Sequence, residues 1–314
     1  MSTPPTVGIT GARGYVGSVV ASALTDAGLD VVELVRARAA GGGTRRAGGP
    51  GGGAAAGGGT RRAVDAAAGD AGGGTRRHFD LGEEPGPALL EGLDALVHCA
   101  WDLRLARYDD LWRVNVEGTN RLVWLAQRTG TKRVVFVSSM SAYDGTSQRY
   151  GLTKLACERV VLAAGGSVVR LGLVYGPRAG GMVGSLRSMG GLPVVPVIAG
   201  QAKHFTVHED DVGSSLLKLV TAAEVPTVPL SVAHPEPVAF EHILRTVAAE
   251  GGRRPYFVPV PWPAVYLALR AGEALGVALP FRSDSLLGLV RPAPVAANQE
   301  AGRALGLELR PFPR

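Results

Sequence analysis

Apolar positions along the chain alternate between two periods. TVGIT at 6–10 is a short continuous apolar run, and Val16, Val19, Val20, Ala23 and Leu24 then follow at helical spacing. Gly28 suits the C-terminal cap of that helix. DVVELV at 30–35 reads as a second strand, RHFDL at 77–81 as a short third and ALVHCA at 95–100 as a fourth. A long helical pattern covers 107–129, RVVFVSS at 133–139 is a fifth strand, 150–164 a helix, and SVVRLGLVY at 167–175 a sixth strand. Strands that are apolar on every residue are buried on both faces. Alternation with helices supplies the crossovers that parallel strands need.

The pattern therefore predicts an α/β fold, a doubly wound parallel sheet of the Rossmann type. Residues 1–175 form its dinucleotide-binding body, with 205–233 returning to it. Residues 176–204 and 234–314 form a smaller C-terminal substrate lobe. Residues 37–77 break the alternation. The heptamer AGGGTRR occurs at 40–46, 56–62 and 71–77, with almost nothing apolar between the copies. A chain with so little to bury is expected to be a flexible Gly/Arg-rich insertion. An arm for a polyanion is the functional alternative.

Charge changes the picture little. The formal net charge is +6, and residues 40–77 carry +4 of it, from six arginines against two aspartates. The rest is nearly balanced, so nucleic-acid binding by the folded body is not expected. Hydrophobic residues are 46% and charged residues 19%, which suits a globular chain with ample core. Two cysteines, Cys99 and Cys157, form no CxxC pair, so neither a disulfide scaffold nor a structural zinc site is expected, and a reducing cytoplasmic setting fits. No basic stretch precedes the first strand, so no signal peptide is expected. The apolar stretch 255–281 is broken by prolines and carries Arg270 and Glu273, which excludes a membrane span and reads as a helix of the substrate lobe.

TGARGYVG at 10–17 places Gly11, Gly14 and Gly17 between the first strand and the first helix. With 45 glycines in 314 residues such spacing also arises by chance, so its position carries the weight. In a wound sheet that turn receives a pyrophosphate on backbone N–H groups at the positive end of a helix. Gly11, Arg13, Gly14, Tyr15, Val16 and Gly17 are the expected contacts. The end of the second strand reads LVRAR, where an NAD-selective site would carry an acid. Arg36 and Arg38, with Arg13, suit the 2′-phosphate of NADP, so the expected cofactor is NAD(P), leaning to NADP.

Tyr150 and Lys154 lie four residues apart in YGLTK and share one helix face. Ser139 ends the fifth strand, eleven residues earlier, at the strand end where ligands sit. An ordinary phenol titrates near pH 10, too high for a base at neutrality. The Lys154 ammonium and the positive nicotinamide are both expected to lower it. Tyr150 would then exchange a proton with a substrate oxygen that Ser139 holds in line.

These residues resemble the extended short-chain dehydrogenase/reductases, the NAD-dependent epimerase/dehydratase family. The likeness is carried by TGARGYVG, FDL, VHCA, NVEGTNRL, VSSMSAY, YGLTK, VRLGLVYGP and VHEDDV, spanning about 10–212. It implies that Asp80 and Leu81 approach the adenine and Ala100 the cofactor backbone. Asn115 would belong to the proton-relay region, and Leu173 and Val174 would lie near the nicotinamide. Asp211 would be a structural residue at a helix start, where an N-cap role is expected.

The sequence departs from the family in places. His204, beside Lys203, stands where nucleotide-sugar enzymes often carry an arginine, and Arg282 in FRSD is only a loose echo of their R-x-G-D phosphate clamp. The expected activity is hydride transfer at a carbinol or ketone carbon, as an oxidoreductase or epimerase on a sugar-nucleotide-like substrate. The alternatives are a reductase or dehydrogenase for a smaller apolar substrate, or a non-catalytic NAD(P)-binding scaffold. Expected partners are the small-molecule substrate and a second copy of the chain in a homodimer.

Overall fold

The computed structural model describes residues 4–36, 75–105, 107–189, 192–252, 254–277 and 281–313. Arg38, the first two AGGGTRR copies and the AGGG of the third lie outside the described residues, and so does most of the stretch expected to be flexible.

Seven strands form one parallel sheet: β1 (Thr6–Thr10), β2 (Asp30–Val35), β3 (Thr75–His78), β4 (Ala95–His98), β5 (Arg133–Ser139), β6 (Ser167–Leu171) and, further along the chain, β11 (Leu230–Val232). Their spatial order is β11-β6-β5-β4-β1-β2-β3. The chain leaves β1 toward β2 on one side and comes back to β4 on the other, so the carboxyl end of β1 is the switch point of the sheet. Helix α1 (Tyr15–Asp26) starts there. It ends as expected at Gly28, whose φ of +82° closes the turn.

Alternate residues of each strand feed separate cores. Val7, Ile9, Val97, Val135 and Val137 pack with Val20, Leu24, Val212 and Leu216, the last two from helix α6 (Glu209–Thr221). Leu34 and Leu96 point the other way, against Leu122 and Leu125, and Phe136 packs with Val123 and Val161. Those partners belong to α3 (Glu117–Thr129) and α4 (Arg149–Ala163). Helices thus cover both faces, as unalternated apolar strands require.

Three expected elements differ in detail. The third strand is displaced: Thr75, Arg76 and Arg77, placed at the end of the flexible stretch, pair with Val32, Glu33 and Leu34 instead. Phe79 and Leu81 leave the strand to bury beside Leu34 and Leu96. The sixth strand breaks at Gly172, where a Cβ would stand 2.8 Å from the Phe205 oxygen. Its second half becomes β7 (Leu173–Tyr175), which pairs with β10 (Thr206–His208) outside the main sheet. The helical stretch 107–129 is present, but α2 (Tyr108–Leu111) and α3 are joined by a π-helical turn, Trp112–Val116.

The remaining elements build a second core. Helix α5 (Gly181–Met189), the two-stranded sheet of β8 (Val194–Ile198) with β13 (Tyr256–Val260), α7 (Phe240–Glu250), α8 (Trp262–Ala274) and α9 (Ser283–Val290) surround Val183, Leu186, Val195, Ile243 and Leu286. Strands β9 (Lys203–His204) and β12 (Val238–Ala239) pair antiparallel, and α10 (Gln299–Ala304) packs on β11. Among the described residues no helix is long and apolar enough to cross a membrane.

Candidate active site

The glycine turn has no room for side chains. Gly11 has a φ of +69°, and a Cβ on it would stand 2.9 Å from both the N and Cα of Ala100. A Cβ on Gly17 would lie 2.2 Å from the Gly11 oxygen, deep inside van der Waals contact. Turn, strand end and helix are therefore in backbone contact, the arrangement that brings N–H groups close to a phosphate. Gly11, Arg13, Gly14, Leu34, Val35, Arg36, Phe79, Leu81, Cys99, Ala100 and Trp101 line a cleft of about 360 Å³ over this turn. The expected contacts Gly11, Arg13, Gly14, Arg36, Leu81 and Ala100 are brought together here. Val16 instead packs against the first core.

One rim of the cleft is a charge cluster. Arg36 bonds Asp80 at 2.8 Å and Asp102 at 3.0 Å, and Arg104 holds Asp102 at 2.7 Å. The Arg104 hydrogen bonds keep the Asp102 carboxyl well below the usual carboxylate range, against the effect of its burial. Exposed Arg13 donates to the Arg36 carbonyl at 3.3 Å, so both cationic side chains stand at the end of β2. Asp80 also accepts from the Gly82 N–H at 2.8 Å.

The expected reactive group stands on the wall beside the cleft. Ser139 at the end of β5 stands beside Tyr150 in the first turn of α4, where its hydroxyl acts to lower the phenol's pKa. The Ser141 N–H donates to the Ser139 hydroxyl at 3.2 Å and fixes its position. Trp101 meets the Tyr150 ring edge-on at 5.6 Å between centroids. Lys154 donates to the Val137 carbonyl at 2.8 Å, and its ammonium lies 4.0 Å from the Trp101 ring centre. Burial lowers Lys154 to about 8. Of the expected lowering, the Lys154 part is corrected: in the chain alone burial dominates and pushes the Tyr150 phenol up to about 12, while the Ser139 hydroxyl acts the other way.

Other expected residues are held by contacts within the fold. Tyr15 donates to Glu209 at 2.7 Å; burial and that carboxylate raise its pKa far above the ordinary range. Arg178 closes on the same carboxylate through its N–H and Nε. Asn115 does not line the cleft. It is fully buried in the π-helical turn, where its side-chain oxygen accepts from the Asp102 N–H at 2.8 Å. Its effect on the site is to hold the loop that carries Trp101 and Asp102. Leu173 and Val174 sit in β7 and pack into the second and first cores respectively. Asp211 is not the N-cap of α6; His208 is, accepting from the Asp210 N–H, and Asp211 instead accepts from the Arg310 N–H and Nε. His98 is structural, bonded to Thr10 and Thr119 at 2.7 and 3.0 Å and held neutral by burial.

Sequence reasoning missed the buried support of α4. Glu158 accepts from Ser138 and from both Arg170 Nε and Nη2. Glu158 stands one turn after Lys154 on α4, a spacing that was legible, but its partner Arg170 lies on β6. Asp284 was also missed, because it acts on a helix far away in sequence.

A wound sheet, a glycine turn closed to side chains and a Ser–Tyr–Lys group beside it define a nicotinamide-dinucleotide enzyme. The profile described as the NAD dependent epimerase/dehydratase family matches residues 7–229, and the chain belongs to that family of enzymes. A ceramide reductase of Caulobacter vibrioides is 26% identical over 182 residues, 57% of this chain and 57% of that one. The adenylate-forming reductase Nps9 of Serpula lacrymans var. lacrymans is 25% identical over 241 residues, 64% of this chain and 21% of that one. The match thus spans less than two thirds of either relative's length. MoeE5 in complex with UDP-glucuronic acid and NAD shares the fold at 21% identity and a TM-score of 0.67, covering 98% of this chain and 94% of that one. So does Thermus thermophilus UDP-glucose 4-epimerase in complex with NAD, at 21% identity and a TM-score of 0.61, covering 82% and 86%.

Proposed function

We propose that the chain is an NADP-dependent oxidoreductase acting at a ketone or carbinol carbon of a substrate without a nucleoside diphosphate. The observation that carries the chemistry is the gathering of Ser139, Tyr150 and Lys154 around Trp101 on the wall beside the glycine-lined cleft. The residues fit a dinucleotide, because backbone fills the space that side chains would take at Gly11 and Gly17. When bound, such a cofactor supplies or accepts hydride at the substrate carbon.

The chain's own residues handle the proton. A phenol held near 12 keeps its proton at neutral pH, so Tyr150 enters the reductive direction as the acid. Its O–H is given to the carbonyl oxygen as the carbon gains hydride, and the phenol is restored from solvent. Ser139 bonds the same oxygen and limits its orientations. The buried Lys154 ammonium offsets the phenolate left by proton transfer.

Two commitments argue against a sugar diphosphate. Arg282 donates to the carbonyls of Leu105 and Arg104 at 2.7 and 2.9 Å. His204 is bonded to the Leu289 carbonyl at 3.0 Å and is kept neutral by burial. Neither is a free cation. The Caulobacter vibrioides and Serpula lacrymans relatives are named as reductases, which agrees with this reading. The cofactor preference rests on Arg13 and on Arg36, a cation at the end of β2 where an NAD-selective site carries an acid; Asp80 and Asp102 pair with Arg36. The free cysteines Cys99 and Cys157 suit the reducing cytoplasm.

A nucleotide sugar is the second reading, favoured by MoeE5, which holds UDP-glucuronic acid on the same fold. The test is a fluorescence titration with NADPH and NADH, followed by turnover assays on ketones, aldehydes, UDP-sugars and dTDP-sugars. Tighter NADPH binding and turnover of simple ketones or aldehydes are expected. Turnover confined to the nucleotide sugars overturns the first reading and leaves the second.

A further inference from the structure

Helix α4 carries Tyr150 in its first turn, yet its own sequence caps it poorly. The N-cap position is Gln148, whose side chain makes no cap hydrogen bond, and the first turn contains no acidic residue. Arg149, the first helical residue, places a cation at the end of the helix that already carries partial positive charge. The first N–H groups of a helix have no partner within it. Left so, this turn frays, and Tyr150 with it.

The partners come from the other core. Asp284 in the first turn of α9 accepts from the Arg149 N–H at 2.7 Å through one oxygen and from the Tyr150 N–H at 3.3 Å through the other. The two residues before Asp284 anchor the same segment. Arg282 donates to the carbonyls of Arg104 and Leu105, in the loop that follows Trp101 and Asp102. Ser283 donates through its N–H and its hydroxyl to the Glu273 carboxylate of α8, at 2.8 and 2.7 Å. Three consecutive residues thus tie one segment of the second core to α8, to the loop walling the dinucleotide cleft and to the catalytic helix.

We propose that Asp284 is a positioning residue for Tyr150: its carboxylate caps α4 in place of a local residue and sets the phenol against Ser139. Ordering of the reactive tyrosine then depends on the second core being docked. This inference rests on the reading of Tyr150 as the proton donor, but the cap itself is measurable without turnover.

Hydrogen exchange resolved at single amides tests it in wild type, Asp284→Ala and Asp284→Asn, alongside NADPH titration and steady-state kinetics. In the wild type the Arg149 and Tyr150 amides are protected. In Asp284→Ala they exchange at least about tenfold faster, while amides in the middle of α4 keep their protection. The kcat falls about tenfold or more with the NADPH dissociation constant unchanged, because the cleft does not contain Asp284. Asp284→Asn, which keeps an acceptor oxygen, restores most of the protection and most of kcat.

Unchanged protection at Arg149 and Tyr150 in Asp284→Ala overturns the cap. Lost protection with an unchanged kcat overturns the positioning role. If the wild type turns over no ketone, aldehyde or nucleotide sugar, the functional reading fails separately, and exchange at Tyr150 decides the cap alone.

Discussion

Gly17→Ala separates a working phosphate cradle from a chance spacing in a glycine-rich chain. The added Cβ would stand 2.2 Å from the Gly11 oxygen, 2.7 Å from the Gly11 carbonyl carbon and 3.0 Å from the Ala12 Cα. All three atoms are backbone, so no flexible side chain can yield. Restoring ordinary carbon contacts near 3.5 Å requires the turn and α1 to separate by about 1 Å. Gly17 has no positive φ, so the whole cost is steric. Overpacking of this kind costs about 1–3 kcal/mol, which in a chain of this size lowers the melting temperature by a few degrees. A shift of about 1 Å in aligned N–H donors weakens their hold on a phosphate further, so dinucleotide affinity should fall at least about tenfold.

The assay is NADPH fluorescence titration paired with a thermal melt. Gly130→Ala is the control: Gly130 has a φ of +74° but an added Cβ there meets nothing within 4 Å. It should cost about 1–2 kcal/mol of stability from backbone strain and leave NADPH affinity alone. If Gly17→Ala binds NADPH like the wild type, the cradle argument is refuted, whatever happens to the melt.

Further predictions come from the charged groups. Arg13→Ser combined with Arg36→Ser should weaken NADPH by about tenfold or more and NADH far less, read from paired titrations; equal losses would remove the case for NADP. Glu158→Ala leaves the mostly buried Arg170 without its carboxylate and should lower stability by about 3–5 kcal/mol, measured by urea unfolding. Lys154 is held at about 8 against an ordinary 10.5, so between those values the folded chain binds fewer protons than the unfolded one. Its contribution therefore makes stability rise with pH through that window, and Lys154→Met should flatten the rise. A melting profile unchanged by that substitution would show that burial does not set the lysine's charge.

How much was legible follows from the range of each signal. The strands and helices of the body announced themselves through period, and the glycine turn through its place between strand and helix. Ser139, Tyr150 and Lys154 could be grouped from sequence because helix spacing and strand ends are local properties. Two strand limits failed where tertiary contact overrode local pattern. Gly172 breaks the sixth strand because Phe205 and Ala233 crowd it from distant segments. Thr75–Arg77 form a strand through pairing with β2 despite their glycine-rich approach. The effect of Lys154 on Tyr150 was misjudged because sequence shows a neighbouring charge but not the depth of burial, and in the chain alone burial is the larger effect. Asp284 stayed hidden because capping statistics concern neighbours in sequence, whereas this cap crosses 134 positions to reach Tyr150.

The central claim is that Tyr150 gives its proton to a substrate oxygen while hydride reaches the adjoining carbon. Incubation with NADPH carrying deuterium at both positions of the reactive carbon tests it directly, in wild type and in Tyr150→Phe, with the carbinol product read by mass spectrometry. The account predicts one deuterium on the carbinol carbon from the wild type. From Tyr150→Phe it predicts a rate lower by about 10² or more at nearly unchanged NADPH affinity. Deuterium transfer at the wild-type rate by Tyr150→Phe, or reduced product carrying no deuterium, would contradict it.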